Sequence, residues 1–224
     1  MRYIDEAQHA IVSQAVAAAE EHTSGEIVTV LADRSDGYTD VALWWAMGFA
    51  FTAMSIFAAF PELFLALRNA IAGAWANEPE MGELFAILTG MGLFTFLAVL
   101  AVQTIQPLKF LLIPSPVKRV RVRDAAVKHF KVGAERRTHG RTGVLLYVSM
   151  REHRAEIVAD EPIAVRVDAE VWGVAMADML AEIKQGRIAD GLAAGVRDVG
   201  AVLAEHFPRG EEDINELPDR LIEV

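Results

Sequence analysis

Two long apolar runs dominate the pattern of the chain. Val41–Phe60 (VALWWAMGFAFTAMSIFAAF) is twenty residues without a charge or a proline. Leu84–Leu108 is twenty-five residues without a charge, interrupted only by Pro107 near its end. An α-helix rises about 1.5 Å per residue, so about twenty apolar residues cross the roughly 30 Å hydrocarbon core of a bilayer. Trp44, Met47, Phe51, Met54, Ile56 and Phe57 point all round the first run, and Leu84, Ile87, Met91, Phe94, Phe96 and Val99 all round the second. A soluble core helix of this length keeps a polar side. The runs therefore predict a transmembrane hairpin, with helices at about 41–60 and 84–106 and an outer loop at 61–83. Within that loop Leu63, Phe64, Leu67, Ile71, Ala74 and Trp75 recur at helical spacing, which predicts a short amphipathic helix at the surface.

Outside the hairpin the patterns are shorter. Ile4–Thr23 reads as a helix, with Asp5 and Gln8 at capping-box spacing. Glu26–Ala32 (EIVTVLA) is β-branched and apolar on both faces, as a strand covered on each side must be. Val117–Thr138 reads as a basic amphipathic helix. Gly143–Ser149 and Ala155–Asp160 are two short strands joined by the five residues Met150–Arg154, an ordinary hairpin connection. Glu161-Pro162 stops the second of them. Asp168 caps a helix over Ala169–Lys184 that turns Trp172, Ala175, Met176, Met179 and Ile183 inward. A last helix, Asp190–Phe207, ends at Pro208, and residues 209–224 read as an irregular acidic tail.

The order implies that residues 1–40 and 109–208 are the two parts of one α/β domain, split by the insertion at 41–108. It also fixes directions. The chain enters the bilayer directly after the first strand, and the helix from Val117 returns. The strand at Gly143–Ser149 is then parallel to the first, and Ala155–Asp160 runs back against it. Asp33, Asp36 and Asp40 fall at one end of the sheet, and Asp160, Glu161 and Asp168 at the other.

Charge adds an orientation. The segment after the second run holds Lys118, Arg119, Arg121, Arg123, Lys128, Lys131, Arg136, Arg137 and Arg141, whereas the loop 61–83 has one Arg and four Glu. Basic flanks stay cytoplasmic, so the expectation is an inner-membrane, multi-pass protein with both termini and the main domain in the cytoplasm. The first of these cations would lie near anionic lipid phosphates. The 224 residues carry a formal net charge of −10, which argues against nucleic acid as the main partner. There is no cysteine, which excludes thiolate nucleophiles, thiolate metal sites and disulfides. The first residues, MRYIDEAQHA, are polar and lack a signal-peptide pattern.

Candidate chemistry is sparse. The chain has no Gly-x-Ser-x-Gly, no His-Glu-x-x-His, no P-loop and no Gly-x-Gly-x-x-Gly. Ser149 has no evident base, because His153 sits four residues on in a turn. His9 and His22 read as solvated, and His139 as a loop residue. Asp33, Asp36 and Asp40 miss the spacing of an EF-hand loop. Oxygen ligands alone can hold calcium or another divalent ion, and Asp160, Glu161 and Asp168 are the candidate metal ligands. Each also has a structural alternative: strand end, solvated side chain and helix cap.

Three stretches carry a resemblance: TSGEIVTV at Thr23–Val30, GRTGVLLYVSMREHRAEIVAD at Gly140–Asp160, and IKQGRIADGLAAGV at Ile183–Val196. They resemble the TPM-domain family, named from thylakoid lumenal phosphatase, photosystem repair and acetylcholine-receptor modulator proteins. The closing NELPDRLIEV of Asn215–Val224 is similar to a bacterial membrane-protein branch of it. The resemblance implies a three-layer α/β/α sandwich around a small mixed sheet, here split by the two-helix transmembrane hairpin. Most family members carry the domain as one contiguous extracytoplasmic piece; here the apolar runs interrupt it. The expected function is a membrane-anchored accessory module that binds a protein partner at the cytoplasmic face, with a divalent ion as a candidate cofactor. A metal-dependent phosphatase and a self-associating membrane structural protein are the alternatives.

Overall fold

The computed structural model describes residues 3–72, 79–133, 142–210, 217 and 219–224. In chain order its elements are α1 (Glu6–Glu20), β1 (Glu26–Ala32), α2 (Thr39–Ala59), α3 (Pro61–Ala72), α4 (Met81–Val102), α5 (Gln106–Leu112), α6 (Ser115–Gly133), β2 (Gly143–Ser149), β3 (Arg154–Ala159), α7 (Glu161–Arg166), α8 (Ala169–Ile183), α9 (Ile188–His206) and β4 (Ile222–Glu223). They fall into two compact units, Met1–Asp36 with Ser115–Val224, and Gly37–Pro114. Ala74 and Trp75 of the expected surface helix, the end of the expected basic helix with His139, and residues 211–216 of the tail lie outside the described residues.

The first unit is a mixed α/β fold around a four-stranded sheet in the order β3-β2-β1-β4. β1 and β2 are parallel, with Glu26 beside Gly143 and Ala32 beside Ser149. β3 runs antiparallel to β2, as the hairpin spacing implies. Every residue of β1 and β2 is buried, because helices cover both faces. Successive side chains of a strand alternate between faces. Ile27, Leu31, Leu146 and Val148 accordingly join Val12 and Val16 of α1, Met179 of α8 and Val196, Val199 and Leu203 of α9 in one core. Val28, Val30, Leu145 and Tyr147 join Val122, Ala126 and Phe130 of α6 in a second core on the opposite face. The start of α1 is sequence-encoded. Asp5 caps α1 through the Gln8 N–H, and Gln8 returns a bond to the Asp5 N–H.

Two features differ from expectation. Glu161-Pro162 does not merely stop β3; it opens the short helix α7, since proline in a first helical turn loses no hydrogen bond and has its φ preset. The tail does not stay irregular to its end. Ile222 and Glu223 form β4, parallel to β1 beside Val30 and Leu31, and Leu217 and Leu221 are buried.

The second unit is built on two long apolar helices, α2 and α4, each long and apolar enough to cross a membrane. Only 22% of the most apolar window of α2, and 6% of that of α4, is buried within the protein. Trp44 is 72% exposed and Phe94 is 73% exposed. The contacts between the helices are specific nonetheless. Gln103 is buried and donates to the Ala42 carbonyl at 3.0 Å, so a polar amide is satisfied inside the pair. Gly92 lies against Met54; a Cβ added there would come within 2.6 Å of the Met54 sulfur. Tyr38, in a left-handed conformation (φ 51°), starts α2 and meets Phe110 of α5 edge to face at 5.7 Å.

Candidate functional site

The carboxyl ends of β1 and β2 gather the polar side chains of the first unit. Ser149 is the last residue of β2 and is fully buried. Tyr147 stands two residues earlier, hence on the same face. The turn that follows places His153 in a left-handed conformation (φ 51°) and brings Glu152 back over the strand end. Ser149 Oγ donates to Glu152 Oε2 at 2.5 Å, and the Ser35 N–H donates to Glu152 Oε1 at 2.9 Å. Ser35 Oγ donates to Ser149 Oγ at 2.9 Å and lies 3.1 Å from the Tyr147 hydroxyl. A buried carboxylate thus ties the loop leaving β1 to the β2–β3 turn, and the two serine hydroxyls form a hydrogen-bond chain that ends on it. Burial pushes the Tyr147 phenol above its ordinary pKa, against the lowering effect of its bond with Ser35. His129 stacks on the Tyr147 ring at 5.6 Å, and its own burial lowers its pKa, which favours the neutral imidazole. Nearby, Arg121 pairs with Asp36 at 3.1 Å.

A second set of polar contacts braces the same end of the sheet. Arg151 Nε donates to both oxygens of Asp33, at 3.0 and 2.9 Å, and the Tyr3 hydroxyl donates to Asp33 as well. The Tyr3 hydrogen bond is the main reason the Asp33 carboxyl sits below the ordinary carboxylate range, with Arg151 adding to it against the desolvation. The Met150 and Arg151 N–H groups donate to the Ala32 and Asp33 carbonyls, so backbone and side chains hold the same two turns.

The proposed metal ligands stand at the other end. Asp160 is buried; its Oδ2 accepts the Gly143 N–H at 3.0 Å, and its own N–H donates to the Gly143 carbonyl at 3.0 Å. It thereby closes the start of β2 against the end of β3, and its carbonyl accepts from Ile163 and Ala164 in α7. Glu161 is exposed in the first turn of α7, and Asp168 is exposed at the N-cap position of α8, where, against expectation, its side chain makes no capping hydrogen bond. Among the described residues, no three His, Asp or Glu side chains are grouped so that they could hold a metal ion. Asp33 beside the end of β1 and Asp160 beside the start of β2 are at opposite ends of the parallel pair, as the element order implies.

Sequence reasoning missed Glu152 as the partner of Ser149. The signal was present, since a carboxylate three residues after a strand-end serine can fold back through a tight turn. Only the left-handed residue at His153 decides that it does. It also left His9 solvated, whereas His9 Nε2 lies 3.2 Å from Glu223 Oε1.

With this geometry in place, comparison with known proteins is informative. Residues 98–202 match the family model described as the TPM domain, so the chain carries a TPM domain over that stretch. α1 and β1 precede the matched residues, yet β1 pairs along its whole length with β2 inside them. Among solved structures, the chain is similar to the NMR structure of the BA42 protein from the psychrophilic bacterium Bizionia argentinensis. The TM-score is 0.57 at 18% sequence identity, over 100% of this chain and 97% of that one, a likeness of fold. No curated protein matches the chain.

Proposed function

We propose that the chain is a membrane-anchored accessory module, in which the TPM-like unit binds a protein partner at the cytoplasmic face of the inner membrane. The observation that carries the anchor is the exposed apolar surface of α2 and α4. Trp44, Phe51, Phe85 and Phe94 are all more than 60% exposed on helices of membrane-spanning length. Large aromatic surfaces of that kind belong in lipid or against another protein. The cytoplasmic side is supported by the cations of α6 and by the one Arg and four Glu of residues 61–83. The partner-binding part is supported by the outer surface of α7 and α8, where Val165 (81%) and Val174 (64%) stand in water.

The absence of cysteine makes topology simple to test. Single cysteines replacing Lys131 and Glu62 are labelled in intact cells and in inside-out vesicles. Labelling of the Lys131 position only from the cytoplasmic side, and of the Glu62 position only from outside, is expected; the reverse pattern overturns the orientation. A photo-crosslinking residue at Val174 should give one discrete adduct in membranes, and its absence there and at Val165 overturns the partner. The ion belongs to the same reading. Titration of calcium, magnesium and manganese into the wild type and into an Asp160→Asn, Asp168→Asn double variant decides it: binding that the variant loses keeps the ion. A wild type that binds none removes the ion from the proposal.

A further inference from the structure

Helix α6 concentrates one sign of charge. Its 19 residues hold Lys118, Arg119, Arg121, Arg123, Lys128 and Lys131 against a single acid, Asp124, in a chain whose formal net charge is −10. Val122, Ala125, Ala126 and Phe130 turn inward onto the sheet. The outward sides are not uniformly polar, since Val120 is 57% exposed and Val132 is 75% exposed among the cations. Arg154, at the start of β3, adds a further cation where α6 begins and donates to Ser115 Oγ at 2.6 Å.

Two of these cations are neutralised within the unit. Arg121 pairs with Asp36 and Arg123 with Glu156, each at 3.1 Å. Among the described residues, Lys118, Arg119, Lys128 and Lys131 have no such partner. Like charges three or four residues apart on a helix repel. Lys118 with Arg121, Arg119 with Arg123 and Lys128 with Lys131 are three such pairs. A helix side that only meets water relieves this repulsion by mixing the signs; α6 leaves it for something anionic outside the protein to offset.

Nucleic acid, an acidic protein and anionic lipid each carry the complementary charge. The valines and the place of α6 in the chain favour lipid. Ser115 follows directly on Pro114, the last residue of the unit that carries α2 and α4, and the stretch just before it exposes Ile105, Leu108 and Leu111. Val120, Lys128 and Lys131 stand eight and eleven residues apart, about two and three helical turns, and so share one face with Asp124. Apolar side chains among cations suit a headgroup layer, which offers acyl chain to the one and phosphate to the other.

We propose that this outer face of α6 binds the headgroups of anionic phospholipid, with Lys128 and Lys131 on the phosphates and Val120 at the acyl-chain boundary. The inference rests on the membrane-anchored reading and adds the class of lipid that the first unit selects. Each Lys or Arg near an anionic leaflet strengthens attachment about fivefold, and salt screens the attraction.

The chain has no cysteine, so Val120→Cys takes a single fluorophore. The labelled full chain is placed in nanodiscs that contain a headgroup-quencher lipid, made either with about one-third phosphatidylglycerol or with phosphatidylcholine as the only other lipid. Quenching should be at least threefold greater with phosphatidylglycerol at low salt, and should fall to the phosphatidylcholine level at about 1 M salt. It should fall to that level as well in Lys128→Gln, Lys131→Gln, and persist in Asp124→Asn, which removes the one opposing charge. Equal quenching in the two kinds of disc, or an excess that salt leaves unchanged, overturns the inference. A fluorophore at Val174→Cys, on α8 across the sheet, should respond alike in both discs; an excess there equal to that at Val120 overturns the assignment to α6. A Val120 signal that follows added single-stranded RNA and not phosphatidylglycerol gives the face to nucleic acid and overturns the lipid. If the double variant does not fold, the wild-type comparison across lipids and salt still decides. A chain that enters neither kind of disc defeats the anchor and this inference with it, whereas a chain that enters both with equal quenching defeats this inference alone.

Discussion

Ser149 Oγ lies 2.5 Å from Glu152 Oε2, both groups buried, three residues apart across the turn that ends β2. The second oxygen of Glu152 takes the Ser35 N–H, so one carboxylate fastens two turns that are more than a hundred residues apart in the chain. Glu152→Ala strands a buried hydroxyl and a backbone N–H at once. Losing one partner of a buried bond costs about 1–3 kcal/mol, so about 2–4 kcal/mol of stability should disappear. Glu152→Gln keeps an accepting oxygen but points an amide donor at one of the two donors, and should cost about half as much. Thermal unfolding followed by tryptophan fluorescence in detergent checks the order; equal melting of all three proteins would show that the contact is incidental.

Asp33 links stability to pH from the acid side. Its folded pKa is depressed below the ordinary 3.8, chiefly by the Tyr3 hydroxyl. The unfolded chain therefore takes up a proton first as pH falls. The stabilisation is complete above the ordinary value and is lost as pH drops through the lower folded one. Asp33→Asn should flatten the stability profile below about pH 4, with Tyr3→Phe giving a partial version of the same change. Arg151→Lys should weaken the turn as well, because an ammonium cannot reproduce the geometry of the guanidinium on Asp33. Denaturant melts at pH 3 and pH 6 for the wild type and the Asn variant separate these contributions.

Most of the framework was legible because its signals are local. The capping box at Asp5 and Gln8, the β-branched run at Glu26–Ala32, the two short strands around the Met150–Arg154 turn and the uncharged runs each declare their element within a few residues. The parallel pairing of β1 and β2 followed from direction alone. The tail strand was not legible. Ile222 and Glu223 have no alternating pattern of their own and become a strand only because β1 has a free edge beside them. The polar cluster was hidden for a related reason. Ser35 and Glu152 are unremarkable turn residues until the sheet register brings their turns together.

The packing of α1 on α9 makes a sharper test of the core. A Cβ at Gly200 would lie 2.6 Å from the Ala19 Cβ and 3.3 Å from its Cα, so the two helices touch there through backbone. The neighbour is a rigid alanine on a helix and cannot swing away. Gly200→Ala should destabilise the unit by about 1–3 kcal/mol, although alanine favours a helix by about 1 kcal/mol over glycine. Ala19→Gly combined with Gly200→Ala moves the methyl to the other side of the contact and should recover much of the loss. If Gly200→Ala raises the melting temperature, the close approach is wrong.

Phe94 separates lipid exposure from packing in the second unit. It is 73% exposed on α4, eight residues from the start of the basic-flanked end of that helix at Val102. Phe94→Ala removes no helix–helix contact of consequence and keeps the run uncharged, so the hairpin should still assemble. Phe94→Asp places a carboxylate on the same surface, where a central charge costs about 2.5–3.5 kcal/mol for insertion. The alanine variant should stay in the membrane pellet after alkaline extraction, and a large share of the aspartate variant should appear in the supernatant. Gly92→Leu provides the opposite control. It crowds Met54 without adding charge, so it should loosen the contact between α2 and α4 while leaving insertion intact. An aspartate at position 94 that extracts no more readily than alanine would mean that this face of α4 meets protein or water rather than lipid.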